Sequence, residues 1–167
     1  MTQVTIDAAT LSRTEAQGMD EMLQTVADAI LASVGGTLNA QAMARLNADQ
    51  ITLIGYLALR DEVMDGGFIQ LIHNGWGPFL YRNPFAKAVR AWGLDTLAAL
   101  INKSHSLYAK HHEAIERDCT DEEFMALYEQ MPAFDNCDDA FVENEEDYTT
   151  RVAQYVREHL ENFITTV

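Results

Sequence analysis

The sequence predicts an all-α fold, a single-domain multi-helix bundle with an acidic C-terminal segment, and three observations carry that prediction. Apolar residues recur at three- and four-residue spacing along most of the chain. Helix start and stop signals bracket those runs. No segment alternates apolar and polar residues in the way a half-buried strand requires. With 167 residues, the chain is within the size of one domain, and a domain of roughly 150 residues buries about 70% of its unfolded surface without staples. The expected organisation is a loosely attached lead-in over residues 1–17, which show no clear period, and one helical domain over 18–167.

The elements follow in order. Met19, Met22, Leu23, Val26, Ile30 and Val34 form one stripe, predicting a helix from about Met19 to Val34 that Gly35-Gly36 ends. A short helix is expected over Ala40–Leu46. Asn47-Ala48-Asp49-Gln50 has the form of a capping box and opens a longer helix through Ile51, Ile54, Leu57, Ala58 and Val63. Gly66-Gly67 should stop it, because glycine turns left-handed without a Cβ clash. Phe68–Ile72 reads as an apolar turn or short helix, with a strand as the alternative. Asn83-Pro84 has the form of a helix start, and that helix carries Phe85, Ala88, Val89 and Trp92 to Gly93. Another runs from near Asp95 towards Ile115. Thr120-Asp121-Glu122-Glu123 is a second capping box, and its helix stops at Pro132. Residues 133–143 read as an acidic loop, and a last helix from about Glu145 places Tyr148, Val152, Tyr155, Val156, Leu160 and Phe163 on one face.

Net charge is −15, unevenly spread. Residues 1–112 hold ten Asp/Glu and eight Lys/Arg, whereas residues 113–167 hold sixteen and three. From Asp118 to Asp147 there are twelve carboxylates and no Lys or Arg. Direct nucleic-acid binding needs the opposite sign, as does an anionic membrane surface; basic partners are favoured. The Met1–Asp7 start has neither a basic n-region nor an apolar h-region, and the apolar-leaning stretch Ile51–Leu59 is far short of the roughly 20 residues of a membrane helix. Cys119 and Cys137 have no metal or redox spacing, so reduced thiols in the cytoplasm are expected.

Catalytic chemistry has little support. His105, His112 and Glu116 are the best metal candidates, beside His111 and Glu113, yet no HExxH pattern is present. Asp135, Asp138 and Asp139 lack the glycine and terminal glutamate of a calcium loop. No nucleophile elbow, phosphate loop or dinucleotide fingerprint occurs. No catalytic residue, metal or cofactor is expected. Trp76, Trp92, Phe68, Phe79, Tyr81 and Phe85 read as core aromatics, and His73 and Asn74 as polar groups that satisfy nearby backbone.

The acidic segment has two readings. Acidic surface favours solubility wherever it stands, but clustered carboxylates repel, by roughly 0.6 kcal/mol per pair about 7 Å apart in water. As one helix, residues 118–147 would span roughly 45 Å, so their twelve charges would fall about 3.8 Å apart, near the roughly 3.4 Å per strand of duplex DNA. On the binding reading, Asp121, Glu122, Asp135, Asp138, Asp139, Glu143, Glu145, Glu146 and Asp147 supply the potential that meets a basic surface.

The block Leu59-Arg60-Asp61-Glu62-Val63-Met64-Asp65-Gly66-Gly67-Phe68-Ile69-Gln70-Leu71-Ile72-His73-Asn74-Gly75 resembles the hallmark of the bacterial DNA-mimic protein family, in which a polar helix end leads into Gly-Gly-Phe, a hydrophobic turn and Asn. Ala88-Val89-Arg90-Ala91-Trp92-Gly93-Leu94 and the acidic C-terminal segment are similar too, and the resemblance covers roughly residues 20–164. It implies an all-α fold, room for a homodimer, no enzymatic residues, and as partner a basic DNA-binding protein such as a transcriptional regulator. The block itself reads as structural rather than contact-making. An immunity-type inhibitor of a basic toxin and a metal-assisted hydrolase are the alternatives.

Overall fold

The computed structural model describes residues 2–167, and the chain divides into two compact units, Met1–Ile54 with Asp147–Val167, and Gly55–Glu146. The fold is all-α, with one two-stranded sheet among the described residues.

The first unit contains β1 (Thr5–Ile6), α1 (Ala8–Gln17), α2 (Met19–Ser33), α3 (Ala40–Arg45), a 3-10 turn at Leu160–Asn162 and β2 (Thr165–Thr166). It also holds the first residues of α4 (Ala48–His73) and the last residues of α9 (Ala133–Glu158). The expected lead-in is a built part of this unit over its described residues. Thr5 and Ile6 pair in parallel with Thr165 and Thr166, and Val4, Ile6 and Leu11 are buried. Asp7 caps α1 by accepting from the Thr10 amide at 2.8 Å, and the Thr10 bonds hold its carboxyl below the usual range. The Asp three residues before Thr10 is a local signal for this cap that the missing apolar period hides, and strand pairing across the length of the chain leaves no local signal.

The Asn47 capping box forms as expected. The Gln50 amide donates to Asn47 Oδ1 at 2.8 Å, and the Asn47 amide donates to Gln50 Oε1 at 3.1 Å. The same two side chains also donate to the Asn162 and Phe163 carbonyls, so the start of α4 fastens the C-terminal turn. Met22, Leu23, Val26, Ile30, Val152 and Val156 are buried, the stripes that helical spacing predicts. However, α9 ends at Glu158, so Leu160 and Phe163, expected on its face, fall in the 3-10 turn and its cap.

The second unit carries the rest of α4, then α5 (Gly77–Arg82), α6 (Phe85–Ala91), α7 (Asp95–Glu116), α8 (Asp121–Gln130) and the first part of α9. Its core includes Tyr56, Leu59, Phe68, Leu71, Leu80, Phe85, Leu97, Ile101, Leu127, Phe134 and Phe141, and α5 and α6 pack against α7. The Thr120–Glu123 capping box of α8 is complete. Helical φ/ψ breaks at Gly67, with φ 76°, and Phe68–His73 continues as helix rather than as a turn or strand. Asn83 does not cap α6; its side-chain amide lies 3.4 Å from the Pro78 carbonyl, and the helix starts after Pro84.

The main correction concerns residues 133–143, expected as an acidic loop. They form the first three turns of α9. Phe134, Cys137 and Phe141 are fully buried and lead into Tyr148 and Val152 at helical spacing. The carboxylates between them obscure that stripe in the sequence without interrupting it. Both cysteines are free thiols, Cys137 buried and Cys119 half-buried.

Candidate functional site

The acidic segment is helical at both ends. Asp121 and Glu122 stand exposed in the first turn of α8, where the helix dipole and unpaired amides favour negative charge. Glu123 belongs to the same turn but is used as a cap, accepting from the Thr120 amide at 3.3 Å.

On α9 the exposed carboxylates separate cleanly from the buried side. At about 100° per residue, Asp135, Asp139, Glu143 and Glu146 fall within an arc of about 80°, opposite Phe134, Cys137 and Phe141. All four are exposed. Their eleven-residue span covers about 17 Å in three intervals, roughly one charge per 5.5 Å, sparser than the about 3.4 Å per phosphate along a DNA strand. Among the described residues no ion pair engages Asp135, Asp139 or Glu143. Like charges at i,i+4 disfavour an isolated helix by a few tenths of a kcal/mol each, so burial of the opposite face must hold α9 together.

Three of the residues expected to act with this stripe are placed differently. Glu145 is half-buried and falls beside the Phe134–Phe141 side rather than on the stripe. Asp147 is exposed and belongs to the first unit. Asp138 turns inward: its Oδ1 accepts the Phe68 amide at 2.8 Å. Burial pushes its carboxyl up to about 6, the Phe68 bond pulls the other way, and Asp135 and Asp139 add to the rise.

Asp138 explains the Gly-Gly-Phe block. The backbone breaks at Gly67, so Phe68 begins a new helical segment whose first amide has no partner within the helix. Asp138 supplies that partner from α9. A Cβ on Gly67 would collide with the Asp138 carboxylate, and the residue has a positive φ, so glycine is required twice over. Tyr128 on α8 donates to the Gly66 carbonyl at 2.7 Å. Burial, with Asp138 and Asp65 nearby, raises its hydroxyl above the usual tyrosine range.

The flanking polar residues close the same knot. Gln70 donates to Glu62 at 3.0 Å and to Asp65 at 2.9 Å, and Asn74 donates to Glu62 at 2.9 Å. His73 Nδ1 bonds the Ile115 carbonyl at 2.8 Å, with its ring 4.7 Å from that of Phe124. The roles of Glu62, Gln70 and Asp138 connect residues too distant for local pattern reading.

The other chemical candidates take structural places. His105 stacks on Tyr81, ring centroids 5.3 Å apart, while His112 lies beside Tyr108 and 3.8 Å from Glu116. Among the described residues no three His, Cys, Asp or Glu side chains are grouped to hold a metal ion, and no helix is long and apolar enough to cross a membrane.

The chain is thus an all-helical protein with a Gly-Gly-Phe knot and an acidic helical face. The family model described as DMP19-like protein matches residues 44–159, and the chain belongs to that family. The DNA mimic protein DMP19 of Neisseria meningitidis serogroup B (strain ATCC BAA-335 / MC58) is 30% identical to it over 143 residues, 85% of this chain and 86% of that protein.

Proposed function

We propose that this chain is a DNA mimic, a binding protein rather than an enzyme, that occupies the basic nucleic-acid-binding face of a DNA-binding protein such as a transcriptional regulator in the cytoplasm. The observation that carries the reading is the stripe Asp135, Asp139, Glu143 and Glu146, exposed along one side of a helix whose other side is buried. Asp121 and Glu122 extend the negative potential from the start of α8, and Glu145 and Asp147 adjoin it in sequence. Asp138 serves the fold and contributes to the surface only indirectly. The name of the Neisseria relative supports the same reading.

The physics is that of a fixed polyanion. Charges held on a helix are presented without the entropy cost of ordering a loop, and complementary potentials speed encounter. Exposed charges act over about 8 Å at physiological salt, so the partner must bring its cations close.

The test loads DNA-binding proteins of the native cell onto immobilised duplex DNA and elutes with this chain. A regulator displaced by the wild type but not by the variant D135N/D139N/E143Q/E146Q supports the reading. Failure of the wild type to displace any protein, or equal displacement by the neutralised variant, refutes it.

A further inference from the structure

The cations of this acidic chain are not spread evenly either. From Arg82 to His112 there are five Lys/Arg and one Asp, and two of those cations converge on a cleft. It lies in the second unit, has a volume of about 240 Å³, and its lining includes Lys87, Arg90, Asn102 and His105 over Tyr81 and Ile101. No carboxylate is among the lining residues, in a chain with 26 Asp/Glu.

The walls are built by helical spacing. Lys87 and Arg90 are three residues apart on α6, hence on one face, and Asn102 and His105 repeat that spacing on α7. The two helices pack together, which sets a pair of cations opposite an amide and an imidazole. The floor is apolar: Leu80, Tyr81 and Ile101 are all buried. Tyr81 is pinned by its hydroxyl, 2.7 Å from Ser104 Oγ, and His105 stacks on its ring. Among the described residues neither Lys87 nor Arg90 has an ion pair. A guanidinium and an ammonium left without a carboxylate, above an apolar floor, have the chemistry of a receptor for a headgroup anion with an apolar body.

We propose that this cleft binds a small organic anion, a carboxylate or phosphate monoester with a flat apolar body. Arg90 and Lys87 take the headgroup, Asn102 donates to it from the facing wall, and the body rests against Ile101 and the edge of Tyr81, whose ring is stacked against His105 and Tyr108. The cleft volume suits a ligand of about ten heavy atoms at the small end of ordinary sites. The chain's net charge of −15 repels a nucleic-acid strand, which favours a small ligand over a polymer.

The experiment titrates benzoate and phenyl phosphate, with inorganic phosphate and uncharged benzyl alcohol beside them, into the isotopically labelled full chain, following amide and imidazole resonances. Saturable one-to-one shifts centred on Asn102 and His105 are expected for benzoate or phenyl phosphate, weaker for inorganic phosphate, and absent for benzyl alcohol. In K87Q/R90Q the affinity falls by about tenfold or more, as expected for loss of charged hydrogen bonds. The same loss in N102A, with the charges intact, confirms the facing wall. K103Q removes a neighbouring exposed cation that does not line the cleft and leaves affinity unchanged. No saturable shift, equal shifts with benzyl alcohol, or a K103Q loss as large as that of K87Q/R90Q overturns the assignment.

Discussion

At Asp138 a carboxylate completes a helix end while standing where charge is costly. It accepts the Phe68 amide, so truncation should leave a part-buried N–H without a partner. D138A is expected to lose about 1–3 kcal/mol in chemical denaturation. D138N keeps an acceptor oxygen and removes the charge. Burial raises the folded-state value to about 6 from an ordinary 3.8, so the folded chain holds the proton more tightly than the unfolded one. The contribution of Asp138 is therefore most favourable at pH below the unfolded value and is lost as pH rises through about 6. D138N should gain stability relative to wild type above pH 6, and that gain should shrink as pH falls towards 4. A difference independent of pH between those limits would show that the carboxyl titrates normally. G67A brings both a Cβ into the Asp138 carboxylate and a left-handed alanine; it should unfold at distinctly lower denaturant, and D138A should relieve the first of these costs but not the second.

At the scale of the element, α9 is where sequence and structure parted. Its start follows Pro132 directly, with the Asp135 amide bonding the Pro132 carbonyl at 3.0 Å, and the stripe of Phe134, Cys137 and Phe141 runs unbroken beneath its acids. A proline at Ala140 would remove a helical hydrogen bond and clash with the preceding turn. A140P should therefore cost about 3 kcal/mol or more, whereas a loop would tolerate it with little loss of stability or helical circular dichroism. The boxes at Asn47–Gln50 and Thr120–Glu123 were legible because both partners lie within four residues. The start of α9 was not, since Pro132 precedes it and Asp135, Asp138 and Asp139 break up the spacing of Phe134, Cys137 and Phe141 in the sequence. Asp138 itself was visible only as charge, because its partner Phe68 is 70 residues away. The β1–β2 pair was hidden for the same reason: two residues on each strand carry no period, and only the folded chain brings them together.

For the whole molecule, the charge imbalance was plain in the sequence, whereas its geometry required the fold. Of the nine acids expected to act together, Asp135, Asp139, Glu143 and Glu146 share a helical face, Asp121 and Glu122 stand at another helix start, and Asp138 is committed to the Gly-Gly-Phe knot. The variant D135N/D139N/E143Q removes like-charge neighbours from one exposed face, so it should keep the wild-type fold and unfold at equal or slightly higher denaturant. Its complex with a DNA-binding partner should weaken, and the remaining affinity should depend less steeply on salt. The most direct measurement of the central claim follows the fluorescence anisotropy of a labelled operator duplex bound to that partner as the chain is added. Mimicry predicts a return to the anisotropy of free duplex, in proportion to the chain added and unaffected by order of mixing. An anisotropy that rises further, as the chain joins the partner on DNA in a ternary complex, would contradict it.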